Sequence, residues 1–183
     1  MSREVLIATL VEVFYEYGYD GATLSVISQA TGLGKASLYH HFPGGKAQMA
    51  AAVLEHSDRW GAEQIGILLA SDASPADKIR RMLAKIEEVH TRPQQLTLMN
   101  VFTYGNARHV FGAQVGERIR HWLANLSALL VQCGLSQSVA DARALDAYIR
   151  LEGGMVLART LNDLDIFRQV VRELSDSLSG IGL

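Results

Sequence analysis

Between Gly21 and Leu54 the chain has no aspartate or glutamate, although the whole sequence is slightly acidic, with Lys+Arg 17, Asp+Glu 19 and a formal net charge of -2. Lys35 and Lys46 fall in that window, and His40 and His41 can add positive charge. An acid-free stretch in an acidic chain is the local footprint of a polyanion partner. There is 1 Cys, Cys133, which excludes an intrachain disulfide and suits a reducing compartment. With only 3 Pro, at Pro43, Pro75 and Pro93, long segments are left open to helix. No apolar run approaches the ~20 residues that span a bilayer. Glu4 and Glu12 interrupt the apolar N-terminus, where no small-residue cleavage site appears, so a cytoplasmic protein without a membrane partner is expected. The histidines form no HExxH arrangement, no glycine-rich phosphate loop is present, and Cys133 has no base marked near it. An enzyme, a metal site and a cofactor are therefore not expected.

What is present is helical periodicity from end to end, with no internal repeat and no convincing strand. A first helix runs from about Ser2 to Tyr17, with Gly18 ending it and Asp20-Gly21 forming a turn. Leu24, Ile27, Ala30 and Thr31 mark one face of a second, which Thr23 caps and Gly32 stops. Leu38 and Phe42 define a third from about Lys35 to His41, ended by Pro43. Ala30 is small enough to let the second and third cross closely, as in a helix-turn-helix. The outward face of the third helix offers Lys35, Ala36, Ser37, Tyr39 and His40. Small residues, polar tips and a cation suit entry into a major groove. A hairpin with a merely solvated polar face has the same periodicity; the missing carboxylates favour the groove.

The order of Gly18, Thr23, Ile27, Ala30, Gly32, Leu33, Lys35, Leu38, Tyr39, Phe42 and Lys46 resembles the DNA-binding domain of TetR-type transcriptional regulators. The run LYHHFPGGK, Leu38 to Lys46, looks most like the LmrA/YxaF-like branch of that family. The resemblance implies that Thr23 and Lys46 hold phosphates, and that Lys35, Ser37, Tyr39 and His40 line the groove. Gly34 stands where the family usually has a capping serine, and Val26 replaces the usual acidic residue before Ile27.

Residues 1–45 are thus expected to be the DNA-binding domain and 46–183 a helical effector-binding and dimerisation domain, all-α, with about nine helices in the whole chain. Long helices are expected from Lys46 to about Leu69, from Pro75 (capped by Ser74) to His90, from Gln94 to Tyr104, where Gly105-Asn106 signals a turn, from His109 to Cys133, from about Ser136 to Leu161, where Asn162-Asp163 is a turn, and from Leu164 to Leu178. Gly153-Gly154 lies mid-helix, where each glycine costs ~1 kcal/mol against alanine, so the pair wants a packing reason. Tyr148, Gly153, Gly154, Leu157, Phe167, Val171 and Leu174 are read as a dimer interface. Trp60, Met82, Met99, Phe102, Phe111, Trp122, Tyr148, Glu152 and Met155 are the right types for an effector pocket, with His90 and His121 as further polar tips. The family resemblance implies a small-molecule inducer, here apolar or aromatic, and pairing through the last two helices. The reading is a homodimeric repressor of a palindromic operator in double-stranded DNA; the alternative is a dimeric helical adaptor that binds protein.

Overall fold

The computed structural model describes residues 2–90 and 101–180, and among these it contains eight helices and no strand. They are α1 (Arg3–Gly21), α2 (Leu24–Thr31), α3 (Lys35–His41), α4 (Gly45–Ala70), α5 (Pro75–Val89), α6 (Gly105–Gln132), α7 (Gln137–Leu161) and α8 (Leu164–Ser179). The helix expected from Gln94 to Tyr104 lies mostly outside the described residues.

Boundaries follow local chemistry. Ser2, Thr23, Ser74 and Asp163 each accept a backbone N–H of the helix they precede. Gly18 breaks α1 at φ 65°, and one further helical turn follows it to Gly21, where a plain turn was expected. Asn162 ends α7 in the left-handed conformation at φ 51°. Gly105, a stop signal by residue type, at φ 57° instead opens α6, four residues ahead of the expected start.

The chain divides into two compact units, Met1–Ala62 with Thr97–Val115, and Glu63–Leu96 with Gly116–Leu183. The first extends past residue 45, because Phe102 and Phe111 pack with Phe14 and Tyr19, ring centroids 5.2–6.2 Å apart. Such aromatic contacts add about 0.5–1.5 kcal/mol each beyond area burial. Its core also takes Leu6, Leu10, Ile27, Leu38, Phe42, Met49 and Val53.

In the second unit, α7 turns a stripe of small residues, Ala140, Ala144, Ala147, Gly154 and Ala158, into the core. A Cβ on Gly154 would meet Val170 Cγ2 of α8 at 3.1 Å, so this glycine serves the close approach of α7 and α8 within one chain. Phe167, Val171 and Leu174 are buried there too, against α5 and α7 residues. Four residues expected at the dimer interface are therefore interior. Periodicity marks an apolar face but not what covers it, and here the cover is the chain itself. Ser127, 3% exposed, donates to Asp141 and accepts from Gln137, tying α6 to α7.

Gly154→Val should overpack this seam and cost about 1–3 kcal/mol, read as a lower urea midpoint at unchanged slope. A midpoint at or above wild type would mean that α7 and α8 do not approach so closely.

Candidate nucleic-acid interface

The helix-turn-helix is held by short side chains at its turn. Thr23 Oγ1 accepts the Val26 N–H at 3.3 Å and Gly32 takes φ 67°. Ser28 Oγ donates to the Leu33 carbonyl at 2.6 Å, and Thr31 Oγ1 donates to Ile27 O at 2.7 Å while accepting Leu33 N–H at 3.3 Å. Ala30, expected at the crossing, is exposed instead, in a cleft of about 310 Å³ shared with Thr9, Glu12, Val13, Glu16, Tyr17, Val26 and Gln29. Ile27 of α2 and Leu38 of α3 are the fully buried residues of the pair.

Gly34 caps α3 without a side-chain hydrogen bond. Leu38 and Phe42 face inward and are fully buried, leaving Lys35, Ala36, Ser37, Tyr39 and His40 exposed together. The His40 and His41 rings meet edge-on at 5.8 Å. Tyr39 packs beside Gly45, which opens α4 at φ 63°. Thr23 is exposed at the start of α2. Arg3, on the first turn of α1, places its guanidinium 5.4 Å from the centroid of the Phe42 ring.

Lys46 behaves differently from the others. Its Nζ donates to the Tyr19 carbonyl at 2.8 Å, sits 3.5 Å from the Asp20 carbonyl and lies 4.5 Å from the centre of the Tyr19 ring. The ammonium therefore fixes the turn that leads into Thr23. On the other side of that turn, Asp20 Oδ1 accepts Asn106 Nδ2–H at 2.9 Å and Oδ2 accepts the Asn106 backbone N–H at 3.1 Å. These bonds, the side-chain one foremost, hold the Asp20 carboxyl below its ordinary range. They also place a negative charge at the N-terminus of α6, which its dipole favours. A Cβ on Gly105 would fall 2.2 Å from Asp20 Oδ2, so only glycine fits. By residue type Asp20 and Asn106 each mark a turn; they lie 86 positions apart, so nothing local joins them.

The residues expected to line an effector pocket fall into separate groups. Met99 and the Trp60 side chain lie outside the described residues. Phe102 and Phe111 belong to the aromatic cluster of the first unit; Met82 and Met155 are in the core of the second. Trp122 and Tyr148 pair at 5.2 Å, and burial first, then the neighbouring Glu152 carboxylate, pushes the Tyr148 hydroxyl pKa up. Of the further polar tips, His121 is exposed beside Glu117. His90 lines a cleft of about 330 Å³ with Ala84, Glu87, Glu88, Leu164 and Arg168. Its Nδ1 lies 2.7 Å from Ile86 O, and burial lowers its pKa. Among the described residues no group of three His, Cys, Asp or Glu is placed to hold a metal, and no helix is long and apolar enough to cross a membrane.

Asp20 has a folded pKa below its unfolded value, near 3.9 for a free aspartate. Its contribution is present above that value and is lost as pH falls through the folded pKa. Asp20→Asn should therefore melt below wild type at pH 7, with the gap closing as pH is taken below about 4. A gap that stays constant from pH 7 to pH 3 would show that the carboxylate charge is not what matters.

Residues 6–53 match the family model of bacterial regulatory proteins, tetR family. The chain is 27% identical over 170 residues to the HTH-type transcriptional regulator LmrA of Bacillus subtilis, covering 87% of each protein. Among solved structures it is similar to a TetR transcriptional regulator from Legionella pneumophila, with TM-score 0.84, 18% identity and 97% of each chain covered. It is also similar to the TetR family regulator CifR in complex with a 26-bp operator duplex, with TM-score 0.78, 17% identity and 97% of each chain covered. At such identities the structures establish the fold, while the sequence match falls on the helices that form the reading head. Residues 6–53 therefore carry a DNA-binding domain of the tetR type, and the chain as a whole has the fold of TetR-family regulators.

Proposed function

We propose that the chain is a homodimeric repressor that reads a palindromic operator with α3 and is released by a small apolar or aromatic effector, acting in the cytoplasm. The observation that carries this reading is the exposed face of α3, where Lys35, Ala36, Ser37, Tyr39 and His40 stand together over buried Leu38 and Phe42. Thr23 and Lys35 take phosphates, and Ser37, Tyr39 and His40 reach base edges. Lys46 keeps one N–H for a phosphate after serving the Tyr19 and Asp20 carbonyls, so its larger part is to hold the turn before α2. CifR, a relative in fold, was solved on its operator duplex.

One reading head covers half an operator, and two copies must present their α3 helices about 34–36 Å apart. The surface available for pairing is the outer face of α7. Leu145, Ile149 and Val156 are 50%, 59% and 48% exposed, and with exposed Gly153 and Leu157 they recur at helical spacing. An apolar stripe of that kind marks an interaction site. The effector reading rests on half-buried Trp122, Tyr148 and Glu152. The chain passes from the first compact unit to the second within α4. An effector that displaces α4 would change the spacing of the reading heads and so the population able to bind.

Selection from a random duplex pool should yield a palindrome. Lys35→Ala should then weaken all sequences alike, whereas Ser37→Ala or His40→Ala should alter the preferred bases, each lost bidentate contact being worth about 1–3 kcal/mol of discrimination. Equal loss of preference from all three would defeat these roles. Ile149→Asp should convert a dimer to a monomer in sedimentation velocity and abolish binding to the full palindrome; a wild-type protein that sediments as a monomer would sink the paired reading.

A further inference from the structure

The engagement of Lys46 leaves the reading head short of free positive charge. In the first compact unit the obligate cations are Arg3, Lys35, Lys46, Arg59 and Arg108, the last of these on α6. Lys46 is bound to Tyr19, and Arg59 lies some 21 Å along α4 from its start, at 1.5 Å per residue. Lys35 and Arg3 remain beside α3, one at each end.

We propose that Arg3 is a phosphate-contacting residue of the DNA interface, clamping the backbone at the C-terminal end of α3 while Lys35 clamps it at the N-terminal end; this rests on the DNA-binding reading above. Arg3 is exposed, and no carboxylate forms an ion pair with it among the described residues. Its guanidinium lies over Phe42, which follows α3 directly and whose backbone N–H is bound to Leu38 O at 2.8 Å. A planar guanidinium can lie against the ring and keep its edge N–H groups free for a phosphate. Ser2 caps the first turn of α1 through the Val5 N–H at 3.3 Å, so the backbone that carries Arg3 is fixed. The seven residues of α3 span about 10 Å, close to the ~12 Å width of a major groove, and charges at its two ends fall near the two phosphate rows. Neighbouring Glu4 opposes the field but lacks the stacked placement.

The test is the salt dependence of binding to a fluorescein-labelled 30-bp mixed-sequence duplex, by anisotropy from 50 to 200 mM NaCl. Each phosphate contact contributes about 0.9 to the slope of log K against log [salt]. Arg3→Gln should lower the slope by about 0.9 for each chain bound. Arg3→Lys should keep the wild-type slope, and Arg59→Gln, which removes the same charge far along α4, should also keep it. A wild-type slope in Arg3→Gln, or an equal drop in Arg59→Gln, overturns the assignment while leaving DNA binding intact. A wild-type protein with no salt-dependent binding overturns the DNA reading itself.

Discussion

A helix of seven residues makes too few internal hydrogen bonds to hold itself in water, and α3 lacks a side-chain cap at its start. It persists because Leu38 and Phe42 are completely buried, each worth about 1.5–3 kcal/mol of transfer from water. Burial of those two side chains also sets which way Lys35, Ala36, Ser37, Tyr39 and His40 point. The exposed polar face of α3 is thus a consequence of the apolar one: were Leu38 and Phe42 to come free, there would be neither a helix nor a defined face.

Support for that anchor spreads outward through a few polar locks. Ser28, Thr31 and Gly32 close the turn before α3, and the Tyr19–Asp20 segment is gripped by Lys46 from α4 and Asn106 from α6. These groups sit where backbone carbonyls and N–H groups would otherwise go unpaired at helix ends. One turn therefore senses the start of two longer helices. It is also the turn that leads directly into Thr23.

Electrostatics at this end are economical. The chain is net acidic, and its cations near α3 are few, so the location of each one matters more than the total. Lys46 shows how a charge that looks available along the sequence is committed once the chain folds. Arg3 is the reverse case: remote from α3 in sequence, it lies against its end through Phe42.

Most of the local architecture was legible in residue order. Thr23, Gly32 and the Leu38–Phe42 spacing defined the helix-turn-helix, since capping and left-handed turns depend on single residues and their immediate neighbours. Ser74-Pro75 and Asn162-Asp163 marked helix ends for the same reason. Contacts between distant residues were not legible. Gly105-Asn106 has the residue types of a stop while its partner Asp20 is 86 positions away, and Ala30 suits the α2–α3 crossing by size although a small residue suits either side of a helix. Phe167, Val171 and Leu174 read as an interface because periodicity reports that a face is covered without reporting by what. The sequence by itself determined most of the helices, their caps and which side of α3 is polar. Tertiary structure alone decided which charges stay free and which apolar faces stay open, because both depend on packing partners that no local pattern encodes.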